Sequence, residues 1–241
     1  RQPPLPEDLS AVFGNPLLPP PTATHLVLGA TAHWTKTLGL EITGFATESE
    51  GLAVRNTLTS PPVGEALVAA GRGRSFGAQF LLRQQLWHGL TGWIAWTMLR
   101  SERQDGPDAP SRLSDYDQTH VASLVLAQSL GRGFDVGLRF RYATGYPRTP
   151  VVGSWSDLLR GTSQPRFGTT NSTRLPDFAQ LDVRASKHLK LGPSELDVWL
   201  EVLNVTNHGN VEEYVYDATF QRRGGLSGLP ILPSIGARLS W

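Results

Sequence analysis

The stretch GFDVGLRFRYATG, residues 133–145, alternates apolar and polar side chains with a period of two. Phe134, Val136, Leu138, Phe140 and Tyr142 fall on one side; Asp135, Gly137, Arg139 and Arg141 fall on the other. A β-strand places successive residues on opposite faces, so the pattern predicts a strand with one wholly apolar, aromatic face. The same pattern recurs along the chain. Residues 73–85 set Phe76, Ala78, Phe80 and Leu82 against Gln79 and Arg83, and residues 91–103 set Ile94, Trp96 and Met98 against Ala95 and Thr97. Residues 178–190 set Leu181, Val183 and Ala185 against Gln180, Asp182 and Arg184, and residues 194–202 set Leu196, Val198, Leu200 and Val202 against Asp197 and Glu201. With weaker versions near Thr24, Leu38 and Thr119, and a last one in LPSIGARLSW, the pattern predicts nine strands.

The connections constrain the fold as much as the strands do. Short turns are expected near Lys36-Thr37, Leu86 to Gly89, Gly131-Arg132-Gly133 and Leu191 to Pro193. Between them lie long Pro/Gly/Ser-rich loops at 51–71, 104–118, 146–177 and 207–231, so short and long links alternate strictly. Twenty-five glycines and eighteen prolines in 241 residues supply the punctuation. Structureless loops of this length are uncommon in compact soluble domains. Short turns on one rim and long loops on the other are the layout of an outer-membrane β-barrel. A soluble β-sandwich also uses alternating strands, but it would bury its apolar face against a second sheet. The loop asymmetry and the aromatic residues near strand ends argue against it.

Composition removes other classes. Net charge is +1 with 18% charged residues, and no basic run is long enough for a nucleic-acid footprint. Cysteine is absent, which excludes disulfides and thiolate metal sites. No apolar run approaches the ~18 residues of a transmembrane helix, a test that a membrane β-barrel passes unseen. The chain begins with Arg1 and carries no charged-then-apolar leader, so a fragment or processed piece is expected.

The segments GRGRSFGAQFLLR, GWIAWTMLRSER, SDYDQTHVASLVLAQSLGRGFDVGLRFRYATGYPRTPV, LDVWLEVLNVTNHGNVEEYVYD and LPILPSIGARLSW, in this order and spacing, resemble the C-terminal barrel of TonB-dependent outer-membrane receptors. The resemblance covers nearly the whole chain from about Thr22. It implies an all-β, antiparallel transmembrane barrel segment: the last nine of 22 strands, with short periplasmic turns and long extracellular loops. Residues 1–23 would be an extracellular lead-in loop, and residues 24–241 the C-terminal part of the barrel. A plug domain and about thirteen earlier strands are then expected to be supplied from elsewhere, as a separate chain or another part of the same polypeptide. Open strand edges in hydrocarbon are too costly to leave unpaired.

Further partners implied by the resemblance are the TonB energy transducer acting through the plug, the barrel assembly machinery and outer-membrane lipid. Its implied role is active uptake of a scarce nutrient, such as a metal–siderophore complex or cobalamin, across the outer membrane of a Gram-negative bacterium. Proton-gradient work reaches that membrane only through the transducer. A structural component of a larger outer-membrane complex is the alternative reading. A passive porin, which needs no plug, and an outer-membrane enzyme are weaker ones.

No catalytic residue, metal ligand set or cofactor is expected. Asp115, Asp117 and His120 form an acid–His cluster in SDYDQTH, read as a loop-to-strand junction held by side-chain-to-backbone hydrogen bonds. GRGRSFG, residues 71–77, leads into a strand, whereas a phosphate loop opens a helix. The sequons at Asn171 and Asn204 carry little meaning in such a protein, and His33, His88, His188 and His208 lack ligand spacing. Candidate substrate-binding residues are Tyr146, Arg148, Trp155, Asp157 and Arg160 in the longest loop, with Tyr214, Tyr216, Asp217, Arg222 and Arg223 in the last. Lumen-facing Asp135, Arg139, Arg141, Asp182, Arg184, Asp197 and Glu201 are expected mainly to pair across strands. Ile235, Ala237, Leu239 and Trp241 are expected to face lipid, with Trp241 anchoring at the interface. The resemblance implies that these four also serve as the barrel assembly signal.

Overall fold

The computed structural model describes residues 5–157, 159 and 161–241. In chain order its strands are β1 (Thr22–His33), β2 (Leu38–Arg55), β3 (Leu67–Trp87), β4 (Leu90–Gln104), β5 (Arg112–Leu113), β6 (His120–Gly131), β7 (Phe134–Ala143) and β8 (Pro147–Arg148), followed by β9 (Val151–Asp157), β10 (Thr162–Phe167), β11 (Thr173–Arg174), β12 (Phe178–Leu191), β13 (Ser194–Leu203), β14 (Val211–Tyr216), β15 (Arg223–Ser227) and β16 (Leu232–Ser240). Nine of them, β1-β2-β3-β4-β6-β7-β12-β13-β16, form one antiparallel meander, and β5 adds a short pair to β4. These are the nine strands expected from the alternation. Among the described residues no helix is long and apolar enough to cross a membrane.

One rim is made of tight turns. His88 and Gly89 both have positive φ, as do Arg132 and Gly133, the backbone that matches the twist of a two-residue hairpin. At Gly192-Pro193 the glycine takes the positive φ and proline follows, a sequence suited to a type II′ turn. The opposite rim differs from the sequence expectation in two ways. β2 and β3 continue to Arg55 and from Leu67, so the first long loop shrinks to residues 56–66. Bulges between Glu50 and Val54 break the alternation there, which hid the extra pairing from the sequence pattern. Two other long loops carry hairpins of their own, β9–β10 and β14–β15.

Register decides which side chains share a face. Leu82, Ile94 and Leu124 align with one another across β3, β4 and β6, and Phe140 and Leu181 continue that row through β7 and β12. The next row runs Leu126, Leu138, Val183 and Val202. Leu200 meets Ile235, Val198 meets Ala237 and Leu196 meets Leu239 on the same side. This apolar face is continuous from β2 to β16. Toward the long-loop rim it stops at charged rows: Glu48–Arg74–Glu102, then Glu50–Arg72–Gln104. The opposite face carries Glu41, Thr43, Gln79, Arg139, Arg141, Asp182, Arg184 and Asp197 among others.

A single sheet has nowhere to hide its apolar side. Among the described residues the buried apolar side chains are few: Leu18, Val54 and Leu175, with Pro147. The exposed area is 16503 Å², against roughly 10,600 Å² expected for a compact monomer of this mass. β3, with 21 residues, is about 70 Å long. That is twice what a tilted strand needs to cross a bilayer, so its upper part projects beyond the apolar band.

Buried polar residues frame the long-loop rim. Asp117 is fully buried; its carboxylate accepts from the Ser101 backbone N–H at 2.7 Å and pairs with Arg174. Arg174 also donates to the carbonyls of Asp117 and Gly145 at 3.0 and 2.9 Å, joining two loops to the end of β4. Asn171 and Asn204, both buried, adopt positive φ, which asparagine tolerates. The Asn171 amide donates to the Leu113 carbonyl and to Asp115, and that of Asn204 donates to the His208 and Leu229 carbonyls. The Asn210 side chain exchanges two hydrogen bonds with the Ala179 backbone, standing in for a strand partner at the top of β12.

Two outcomes test this architecture. Leu124→Arg, on the apolar face, should destabilise the folded sheet by about 2–4 kcal/mol in a bilayer, whereas Ser123→Arg next to it should cost less than about 1 kcal/mol. Denaturant titration in lipid vesicles compares them, and equal costs would refute the face assignment. Asp117→Ala leaves the part-buried Arg174 guanidinium without its counter-ion and the Ser101 N–H without its acceptor, at a cost of about 1–3 kcal/mol to the loop frame. Trypsin should then cut within residues 105–119 rapidly, and unchanged resistance would deny Asp117 its role.

Candidate functional site

The candidate substrate-binding residues sit on the rim that carries the long connections. Arg148 lies on β8, which pairs with β11, and its carbonyl accepts from the Thr173 hydroxyl at 2.9 Å. Pro147 beside it is fully buried, so the base of Arg148 is fixed. Its guanidinium reaches across to the last loop and grips Glu213 with two bonds, Nε to Oε1 at 3.1 Å and Nη2 to Oε2 at 2.9 Å. A planar fork meeting a carboxylate in this way fixes orientation as well as proximity. Glu213 was not singled out in the sequence, because a lone acid in a polar loop gives no signal until its partner is known.

Arg223, in register with Tyr216, reaches diagonally across β14–β15 to lie over Tyr214, with the guanidinium carbon 4.1 Å from the ring centroid. Tyr216 packs near Phe220 with ring centroids 6.1 Å apart. Asp217 closes the hairpin: its carboxylate accepts from the backbone N–H groups of Gln221 and Arg222 and from the Thr219 hydroxyl. Trp155 stands on the other hairpin, 58% exposed, opposite Gln164. Asp157 ends β9 and accepts from the Leu159 N–H at 3.1 Å. The Tyr146 carbonyl accepts from the Leu175 N–H, tying the start of this loop to its end. Arg160 lies outside the described residues. The structure thus brings together Arg148 and the Glu213-Tyr214-Arg223 group, while Trp155 belongs to a separate hairpin.

Local charge holds these acids ionised. Arg148, donating to Glu213, keeps that carboxyl below its usual range. The Arg222 backbone N–H and the Thr219 hydroxyl do the same for Asp217. Burial alone would raise Asp105, but hydrogen bonds from Arg112 and Arg103 outweigh it and hold the group low.

The Asp115-Asp117-His120 cluster does not assemble as a site. Asp117 pairs with Arg174, Asp115 with Arg112 and Asn171, and the His120 ring stacks on Trp96 at 5.9 Å. Among the described residues no group of three or more His, Asp or Glu is placed to hold a metal. GRGRSFG lies inside β3.

On the polar face the expected cross-strand pairing is present for several charges. Arg139 pairs with Asp182 at 2.7 Å, and Asp182 also accepts from the Asn204 N–H and the Gln180 amide. His188 bridges three strands, with Nε2 2.7 Å from Asp135 and Nδ1 on Asp197. Arg184 and Arg141 instead lie over aromatic rings, those of Trp199 and Phe178. His188 had no signal in the sequence, since its two partners come from neighbouring strands. In the last strand Ile235, 80% exposed, and Leu239 stand on the apolar face with Ala237, while Trp241 follows one residue beyond β16. Gly236 is held beneath the Trp199 indole, where a Cβ would come within 2.3 Å of the ring.

Residues 2–205 match the family described as TonB dependent receptor-like, beta-barrel. Among solved structures, the chain is similar to the ferric-catecholate import receptor Fiu from E. coli K12, with 18% identity, TM-score 0.64, and coverage of 95% of this chain and 29% of that one. It is similar to the FrpB iron transporter from Neisseria meningitidis at 17% identity and TM-score 0.61, covering 94% of this chain and 32% of that one. For the ferripyoverdine receptor of Pseudomonas aeruginosa the values are 15% and 0.63, with 92% and 27% covered. The chain therefore spans less than a third of the length of each. No curated protein sequence matches it. An all-β meander with one apolar face, short turns on one rim and long loops on the other, together with a match over residues 2–205, places the chain in the TonB-dependent receptor β-barrel family.

Proposed function

We propose that the chain is the C-terminal wall of an outer-membrane receptor that takes up a scarce nutrient, with an iron–siderophore complex as the leading candidate. The family and fold are those of transport receptors. The observation that carries the proposal is the rim: aromatic and guanidinium groups held in place on two hairpins, Trp155 on one and Tyr214, Arg223 and the Arg148–Glu213 fork on or beside the other. A ferric chelate is bulky, polar and commonly anionic. Aromatic faces and forked cations on a fixed frame suit such a ligand, and pre-ordering them lowers the entropy lost on binding.

In this reading Tyr146, Arg148, Trp155, Asp157, Arg160, Tyr214, Tyr216, Asp217, Arg222 and Arg223 form the extracellular capture surface, and residues 1–23 lead into the wall from that side. The outer edges of β1 and β16 pair with earlier strands of the receptor, because unpaired backbone groups are too costly in lipid. The polar face lines the lumen and meets a plug, through which the TonB transducer drives release inward. The last strand, with Ile235, Ala237, Leu239 and Trp241, is read by the barrel assembly machinery. The role of this chain is wall and capture surface, without catalysis.

Deleting the gene should abolish uptake of the cognate ferric siderophore under iron limitation; unchanged uptake, with loss of some outer-membrane assembly instead, would favour a scaffolding role. Trp155→Ala and Arg223→Ala should each weaken ferric-siderophore binding by roughly 5- to 30-fold, the range for anchoring aromatic and arginine side chains. Because Arg148 holds Glu213 below its ordinary 4.5, the tie is complete above that pH and is lost as pH falls through the lower folded value. It is half-exposed and worth less than about 1 kcal/mol. Protease sensitivity of the last loop should therefore stay flat from neutral pH down to about 4.5 and rise only below it, whereas Glu213→Gln should raise it already at pH 7. Replacing Trp241 with Asp should sharply lower the amount of receptor in the outer membrane, and normal levels would remove Trp241 from the assembly signal.

A further inference from the structure

The apolar face is not evenly filled. A groove of about 470 Å³ opens on it across β6, β7, β12 and β13, lined by Leu126, Val136, Leu138, Val183, Ala185 and Leu200. Leu138 and Val183 belong to one row, and Val136, Ala185 and Leu200 to the next row toward the tight turns. Ala185 leaves the floor low between larger neighbours.

One row further toward the turns, on the same face, stands Lys187, in register with Phe134 and Val198. Its ammonium lies 3.7 Å from the Phe134 ring centroid and donates to the carbonyl of Arg132 at the tip of the β6–β7 turn. The neighbours of Lys187 on this face, Phe134, Ala185, Leu189 and Val198, are apolar, and it forms no ion pair among the described residues. A cation on the lipid side without a carboxylate is unfavourable unless it lies near the interface or meets an anion from the bilayer. The exposed turn residue Arg132 adds a second cation at the same rim.

We propose that the groove and Lys187 form a binding site for one anionic glycerophospholipid of the periplasmic leaflet. Its phosphate sits on Lys187, with Arg132 contributing, and one acyl chain runs along Ala185 and Val183 toward the bilayer centre. Complementary charge selects the headgroup, and the groove selects a chain in place of a flat annular contact. The site rests on reading the apolar face as lipid-facing.

The test uses the receptor purified from membranes in a non-ionic detergent, with native mass spectrometry while phosphatidylglycerol or phosphatidylcholine of identical chains is added. Wild type should retain phosphatidylglycerol about fivefold better than phosphatidylcholine, the factor that one cation near a bilayer surface supplies. Lys187→Glu should erase that preference, Lys187→Arg should keep it, and Ala185→Phe should lower retention of both lipids. A wild type without headgroup preference, or a Lys187→Glu receptor that keeps it, overturns the site. The chain has no cysteine, so Leu124→Cys in intact membranes reports on the face itself. Protection from a water-soluble maleimide, combined with no lipid preference, defeats the site alone; rapid labelling defeats the face reading and the site together.

Discussion

Backbone pairing between neighbouring strands carries this structure, because the chain has almost no core to share the task. Nine strands each pair with the next in a single layer, and the few buried apolar side chains among the described residues cannot supply the burial that stabilises a soluble domain of this size. What replaces the core is the surrounding medium. The continuous apolar rows from β2 to β16 are satisfied only when something apolar lies against them, and a bilayer both does so and makes every ladder bond obligatory. The same condition accounts for the charged rows at Glu48–Arg74–Glu102, where the strands leave the apolar band.

Above that band the physical problem reverses. The loops sit in water and need polar order, and it comes from a few buried groups with several partners each. Asp117 with Arg174 fastens two loops to β4, Asn171 and Asn204 hold turns in left-handed backbone, and Asn210 closes the free end of β12. On this frame the two hairpins hold Trp155, Tyr214 and Arg223 in place, so the proposed capture surface would not have to order them on binding. The arrangement of the proposed capture surface is therefore a consequence of the polar frame, and the frame is a consequence of strands that end in fixed register.

The two sides of the wall divide the chemistry. Charges on the polar face are largely taken up by one another, as in Arg139–Asp182 and the His188 bridge between Asp135 and Asp197. On the apolar face Lys187 is the exception among its neighbours, a cation among Phe134, Ala185, Leu189 and Val198. One position with unmatched charge beside an unfilled groove is where a lipid has reason to bind in a defined way.

The sequence by itself determined the strands, their faces and the alternation of rims. Period-two polarity is a local property, and Phe134 to Tyr142 can occupy one side of a strand in only one way. From the sequence no catalytic constellation is expected. The sequence could not find the extra pairing above the band, because bulges at Glu50–Val54 interrupt the period, nor the hairpins inside the loops, whose strands are short and mixed. Only the tertiary structure decided which residues meet: Arg148 with Glu213 lies 65 positions apart, Asp117 with Arg174 lies 57 apart, and His188 draws its acids from two other strands. Partners of this kind are set by strand register and by where loops fold back, and neither leaves a periodic trace in the chain.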